Sequence, residues 1–84
     1  MSSAEIAEAL ADYWPLFEWH ARKMQGIGGA EFDDLVQEGA FASWIAMLEG
    51  FLPSDALIKR AMLDWIRFIS HRGLVYEYTQ PLES

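Results

Sequence analysis

Few residues in this 84-residue chain have the types and the spacing that catalysis or metal binding needs. Its two histidines, His20 and His71, are far apart and there is no cysteine, so neither a zinc-ligand spacing nor a thiol nucleophile is present. The adjacent acids Asp33 and Asp34 suit the first turn of a helix, where they complement the helix dipole. The Gly-Ile-Gly-Gly run at 26–29 lacks the Lys-Ser/Thr pair of a phosphate-binding loop. We therefore expect no catalytic residue, no metal site and no cofactor, and we interpret the chain as a non-enzyme.

The chain is strongly acidic overall, but its charged residues are unevenly distributed along the sequence. Thirteen acidic residues against six basic ones give a net charge of −7, which argues against tight non-specific binding to nucleic acid. Residues 57–72 carry four basic residues and one acid, a local net charge of +3, so this segment is where we expect any nucleic-acid contact. The absence of cysteine fits a cytoplasmic protein, and no apolar run approaches the roughly 20 residues that cross a bilayer.

The hydrophobic pattern predicts one all-α domain of three or four helices over residues 1–72, followed by a tail at 73–84. Ser2 or Ser3 is placed to cap the first helix. Pro15 marks either a kink in that helix or the first turn of a second one. The tail contains Pro81 and shows no clean period, so we expect it to be extended or partly ordered.

Two further helices are predicted at 31–49 and 55–72, and the first of them has two different faces. One face carries small residues around Gly39 and Ser43, which indicates a close helix–helix contact. The opposite face is acidic or amidic in its first half and apolar in its second half, a pattern typical of a helix that docks onto something. The helix at 55–72 is expected to bury a stripe made of Ile58, Met62, Trp65, Ile66 and Ile69.

A run of eight residues in the first of these two helices carries a family resemblance. Residues 32–39 read Phe-Asp-Asp-Leu-Val-Gln-Glu-Gly, which resembles the Asp-Leu-Ile/Val-Gln-Glu-Gly core of region 2 in bacterial RNA polymerase sigma factors. Upstream, Tyr-Trp-Pro-Leu-Phe at 13–17 and Ala-Arg-Lys at 21–23 are similar to the stretch that opens region 2. Downstream, residues 46–51 and the Asp-Trp-Ile-Arg run at 64–67 resemble its later segments, in order and at near-family spacing.

The resemblance implies a compact sigma region 2-like bundle that binds the core of bacterial RNA polymerase. In the family this helix docks on the coiled-coil clamp helices of the β′ subunit. The positions that match the docking residues, together with the apolar positions that follow them, are Asp34, Gln37, Glu38, Phe41 and Trp44. Small size suits a phage-encoded or accessory factor.

The same resemblance implies a weakened contact with promoter DNA. Asp64 stands where the family has an aromatic that captures unstacked bases, and Phe68 stands where members often have a polar base-reading residue. Nothing in the 84 residues resembles the family's second promoter-reading domain. The remaining candidates for phosphate contact are Lys59, Arg60, Arg67, His71 and Arg72. Docking on the polymerase is therefore expected to persist, while independent promoter melting is not.

Several hypotheses follow for the role of such a chain. In the first hypothesis, the chain is a minimal or split sigma factor that a second protein completes and that contacts promoter DNA within the complex. In the second, it competes with the host sigma factor for the clamp helices. The lost aromatics and the acidic charge favour competition or modulation. From a different class, the chain is a small acidic adaptor that self-associates through Phe41, Trp44 and Leu48 without polymerase contact. A helix-turn-helix DNA binder is disfavoured, since no short glycine turn leads into a basic recognition helix.

Overall fold

Three α-helices and one short 3-10 turn follow one another along the chain. The computed structural model describes the backbone of residues 2–83 and the side chains of residues 2–70. The helices are α1 (Ser3–Met24), α2 (Phe32–Leu48) and α3 (Asp55–Glu83), with the 3-10 turn (Ile27–Gly29) between α1 and α2. There is no strand among residues 2–83, so the predicted all-α fold class is confirmed.

α1 is a single helix that runs through Pro15. Its N-cap is Ser2, whose side chain accepts a hydrogen bond from the backbone N–H of Glu5 at 3.3 Å. A proline inside a helix removes one backbone hydrogen bond. Here Tyr13 on one side of the proline and Phe17 on the other both pack against the same core cluster, which anchors both halves of the helix. The alternative of a second helix that starts at Pro15 is therefore wrong, because α1 continues from Ser3 to Met24.

α2 lies against both other helices, through the small-residue face that the sequence predicted. A Cβ placed on Gly39 would lie 2.9 Å from Cε of Met62 and 3.3 Å from Cγ2 of Ile58, so α2 and α3 approach closely there. Ser43 is buried nearby and donates a hydrogen bond from Oγ to the carbonyl oxygen of Gly39 at 2.8 Å. The predicted close helix–helix contact is therefore confirmed.

α3 begins where the sequence predicted but continues further. Ser54 caps it, since its Oγ accepts a hydrogen bond from the backbone N–H of Leu57 at 3.1 Å. The backbone stays helical through Glu83, so the expectation of an extended segment over 73–84 is corrected as far as that residue. Gly73 disfavours a helix by only about 1 kcal/mol relative to alanine, so this single glycine does not end α3. Pro81 removes one backbone hydrogen bond, and only Leu82 and Glu83 follow it in the helix.

The core forms where the three helices meet. It takes side chains from α1, α2 and α3, with Ala30 from the connection between α1 and α2. Its buried members are Phe17, Ala21, Met24, Ala30, Leu35, Val36, Ile58, Met62 and Ile66. Trp65 and Ile69, which were expected in the α3 stripe, are partly buried against this cluster. Within the described residues no helix is both long and apolar enough to cross a bilayer.

Candidate protein-binding surface

The five residues that match the family's docking helix lie on one outward face of α2, which we call the α2 docking face: Asp34, Gln37, Glu38, Phe41 and Trp44. At 100° per residue they fall within an arc of about 120° around the helix axis. Asp34 and Glu38 are half-buried and Gln37 is exposed. Phe41 is 57% exposed and Trp44 is 41% exposed.

The two aromatic rings of this face touch each other while remaining accessible. The ring centroids of Phe41 and Trp44 are 5.9 Å apart, with the planes inclined by 36°. Large apolar side chains left in water are uncommon as a cluster on a monomer and mark binding surfaces. The docking face therefore combines carboxylates and an amide over its first half with accessible aromatic area over its second half.

Beside the docking face, a shallow groove runs between α2 and α3. We call it the α2–α3 groove; its lining residues are Glu38, Phe41, Ala42, Ile45, Ala61, Asp64, Trp65 and Phe68. Phe41 and Phe68 approach it from opposite sides, and both are more than half exposed. In the sequence, Phe68 was identified only as a departure from the family pattern. Its place beside the groove could have been found from the spacing of Ala61, Asp64 and Phe68, which puts all three on the outer side of α3.

Trp65 lines this groove and also contributes to packing. Its ring is stacked with that of Phe68, with centroids 5.7 Å apart and planes 28° from parallel. It packs against the core cluster, next to buried Ile66. Its indole Nε1 is buried and has no hydrogen-bond partner among the described residues. Leaving a buried donor unpaired costs about 1–3 kcal/mol, so the ring is held by its apolar contacts and not by its N–H group.

Two substitutions at Trp65 separate packing from hydrogen bonding. Trp65→Ala removes the ring and should lower the free energy of unfolding by about 2–4 kcal/mol. This is near the lower end of the cost of truncating core aromatics, because the ring is only partly buried. Trp65→Phe keeps most of the apolar contact and removes the unpaired N–H, so its stability should stay within about 1 kcal/mol of wild type. Urea unfolding followed by circular dichroism measures both. An alanine variant as stable as the wild type would show that Trp65 is not a packing residue.

The residues expected to contact DNA are not gathered into one patch. Arg60 and Arg67 are exposed and lie on either side of Asp64, with 3.9 Å between each guanidinium nitrogen and a carboxylate oxygen. Lys59 precedes Arg60 by one residue and therefore points about 100° away from it around α3. It lines a different groove, between α1 and α3. The side chains of His71 and Arg72 lie outside the described residues. Asp64 therefore partly neutralises the two arginines.

The groove between α1 and α3 contains a contact that the sequence did not reveal. His20 is buried, and its Nε2 lies 3.2 Å from Oδ1 of Asp55 at the start of α3. Beside it, Nζ of Lys23 lies 3.7 Å from the centroid of the Trp19 ring, a cation–π contact. His20 is thus a packed residue. No cluster of three or more metal-ligating side chains occurs in the described part of the chain.

Comparison with protein-family models, with curated proteins and with solved structures finds no match to this chain. The features of this chain that indicate a function are the motif at 32–39, the α2 docking face and the α2–α3 groove.

Proposed function

We propose that this chain is a sigma region 2-like module that docks on the β′ clamp helices of bacterial RNA polymerase and modulates transcription initiation. The observation that carries the proposal is the α2 docking face. The acids, the amide and the aromatics of the motif-bearing helix lie on one accessible side, in the order that the family resemblance requires.

The two halves of the docking face make different contributions to such a complex. Asp34 and Glu38, together with the net charge of −7, steer the chain towards a basic surface and fix its orientation there. Phe41 and Trp44 provide apolar area that is lost from water on binding, and tryptophan is among the residues most often responsible for interface affinity. Affinity therefore arises mainly at the aromatic half, and specificity at the acidic half.

Modulation of the host sigma factor is a better account than self-sufficient promoter opening. Base–aromatic stacking contributes about 1–3 kcal/mol per base, and Asp64 stands at a position where the family has such an aromatic. In addition, Asp64 lies between Arg60 and Arg67, the two arginines available for phosphate contact on this side of α3. A chain that occupies the clamp helices with little hold on DNA competes with a complete sigma factor for the polymerase.

The isolated protein should not bind double- or single-stranded promoter DNA measurably at physiological salt. Tight binders neutralise roughly 6–10 phosphates, and residues 57–72 have a local net charge of only +3. Once polymerase holds the module near DNA, Arg60→Gln together with Arg67→Gln should reduce promoter-complex formation several-fold, because the effective concentration is then high. Fluorescence anisotropy with labelled DNA measures the first effect and a mobility shift with core polymerase the second.

As the control in that experiment, the variant with both glutamines should bind core polymerase as tightly as the wild type does. Specific binding of the free protein to promoter DNA at moderate salt would contradict the account. It would make a promoter-reading factor the better description.

A pull-down tests the proposed function itself. The tagged chain should retain purified bacterial core polymerase, and an excess of the polymerase's own sigma factor should displace it, because both would occupy the clamp helices. Failure to retain core polymerase would favour the adaptor hypothesis. Retention that sigma factor does not diminish would place the contact elsewhere on the enzyme.

A further inference from the structure

Both lysines of this chain line the groove between α1 and α3. Lys23 comes from α1 and Lys59 from α3, so the fold brings together two residues that are far apart in the sequence. The ion pairs among the described side chains use His20, Arg60 and Arg67, and none of them uses a lysine. In a chain with thirteen acidic residues, two ammonium groups without a carboxylate partner among the described residues therefore lie at the same groove.

The acid in this groove is already engaged by a neighbouring side chain. Among the described residues, Asp55 is the one acid that lines the groove, and its Oδ1 lies 3.2 Å from Nε2 of buried His20. An ionised carboxylate can only accept a hydrogen bond, so the imidazole N–H donates it. Two lysines and one aspartate give the groove a formal charge of +1, against −7 for the whole chain. The groove is thus a local region of positive charge on an acidic protein.

One of the two ammonium groups is held in place before any ligand binds. Nζ of Lys23 lies 3.7 Å from the centroid of the Trp19 ring, and both residues line the groove. This cation–π contact restricts the long lysine side chain. A side chain that is already restricted loses less freedom when it binds an anion, which favours binding.

The groove is large enough for an organic molecule. It encloses about 500 Å³, within the range of about 300–1,000 Å³ that is typical of small-molecule sites. Met24 and Ala56 contribute apolar lining. A bare inorganic ion would leave most of this space unfilled, so the lining favours an anionic group that is attached to a compact organic body.

We propose that the groove between α1 and α3 binds a small organic phosphate, in which a phosphate monoester is carried on a compact body. A phosphate monoester has a charge of about −1.5 to −2 at pH 7, and lysine binds phosphate as a point charge. A carboxylate or a phosphodiester has a single negative charge, so the monoester matches two ammonium groups better. Lys23 and Lys59 contact the phosphate oxygens, and Met24 and Ala56 pack against the organic body. The site does not depend on the proposed function, because the docking face lies on α2.

A heteronuclear NMR titration of the full chain tests the site. AMP and glycerol phosphate should shift the backbone amide signals of Lys23, Ala56 and Lys59 with a Kd of about 1 mM or tighter. Adenosine and glycerol, which lack the phosphate, should leave these signals unchanged. Inorganic phosphate should bind more weakly than AMP, because it does not contact the apolar lining. The absence of shifts with both phosphate esters, or equal shifts with the compounds that lack phosphate, would overturn the proposal.

Matched substitutions separate the groove from overall charge. Lys23→Gln and Lys59→Gln should each raise the Kd for AMP at least about fivefold, because each removes one of the two attractions. Arg22→Gln and Arg60→Gln remove the same charge at the neighbouring positions, which are exposed and do not line this groove. These two controls should stay within about twofold of the wild type, since water and salt screen exposed charges. Equal weakening by the lysine and arginine variants would show that overall charge governs binding and would overturn the site.

Nucleic acid is the competing occupant, since Lys59 was also expected to contact DNA. The same titration with a short single-stranded oligonucleotide without a terminal phosphate decides between the two. We expect it to leave the signals of the groove residues unchanged at concentrations where AMP shifts them. Tighter binding of the oligonucleotide than of AMP at the groove would overturn the proposal and assign the groove to nucleic acid.

Discussion

Reversing Asp34 and Glu38 together to lysine should weaken binding to bacterial core RNA polymerase by at least about 100-fold. Both carboxylates lie half-buried on the α2 docking face, beside the aromatic pair that we expect to be covered in the complex. Like charges placed opposite one another in an interface cost several kcal/mol, and about 2.8 kcal/mol corresponds to a 100-fold change in the dissociation constant. Surface plasmon resonance on immobilised core polymerase measures the change directly.

The matched control is Glu8→Lys with Asp33→Lys. Each reversal removes one negative charge and adds one positive charge, so both double variants shift the net charge from −7 to −3. Both also remove one acid from the first turn of α2, which equalises the loss of helix-dipole stabilisation. Glu8 is exposed on α1, and Asp33 is exposed and lies about 20° beyond the Trp44 edge of the docking face, so this control should bind within about threefold to tenfold of the wild type. If the control and test variants lose polymerase affinity equally, net charge governs binding, and the assignment of the docking face is wrong.

Replacing Gly39 with leucine should destabilise the fold by about 3 kcal/mol. Even the first carbon of a new side chain would lie 2.9 Å from Cε of Met62 and 3.3 Å from Cγ2 of Ile58, so a full leucine must push α2 away from α3. Overpacking of this kind typically costs 1–3 kcal/mol and occasionally more. For a domain of this size, 3 kcal/mol lowers Tm by roughly 12–24 °C, which a thermal melt monitored by circular dichroism resolves.

Gly39→Ala is the control for that experiment. The closest obstacle is the terminal methyl of Met62, at the end of a flexible side chain that can turn aside at small cost. Alanine also gains about 0.5–1 kcal/mol over glycine in a helix interior, so we expect stability within about 1 kcal/mol of wild type. A leucine variant that melts like the wild type would contradict the close contact of α2 with α3. The glycine of the motif at 32–39 therefore serves packing, while its acids face outwards.

Local sequence signals predicted where the three helices begin and where α2 ends. Ser2 and Ser54 both cap helices through their side chains, as serine before an amphipathic run indicates. Gly50 has a φ of 90°, a left-handed conformation that glycine adopts readily, and α2 ends just before it. Such signals depend on a few neighbouring residues only. The helical backbone beyond residue 72 was missed because that segment has no clean hydrophobic period.

Features that depend on how helices pack were only partly predictable. Helical periodicity predicts one outward acidic-to-apolar face on α2, and the family resemblance selects the five residues of the docking face from it. The α2–α3 groove depends on the approach of two helices at Gly39, and the pairing of His20 with Asp55 joins residues far apart in sequence. Lys59 and Arg60 are neighbours in sequence but point about 100° apart, which is why Lys59 lines the groove between α1 and α3 while Arg60 lies beside Asp64 on the outer side of α3.

The most direct test of the central claim is site-specific photo-crosslinking to core polymerase. A benzoylphenylalanine at position 41 replaces an exposed phenylalanine of similar shape at the centre of the docking face, and the same residue at position 27 provides an exposed control in the 3-10 turn. With core polymerase, we predict that the position 41 probe crosslinks to the clamp helices of the β′ subunit, as mapped by mass spectrometry, and that the position 27 probe does not. A position 41 crosslink to another part of the polymerase, or none in a complex that demonstrably forms, would contradict docking through this face of α2.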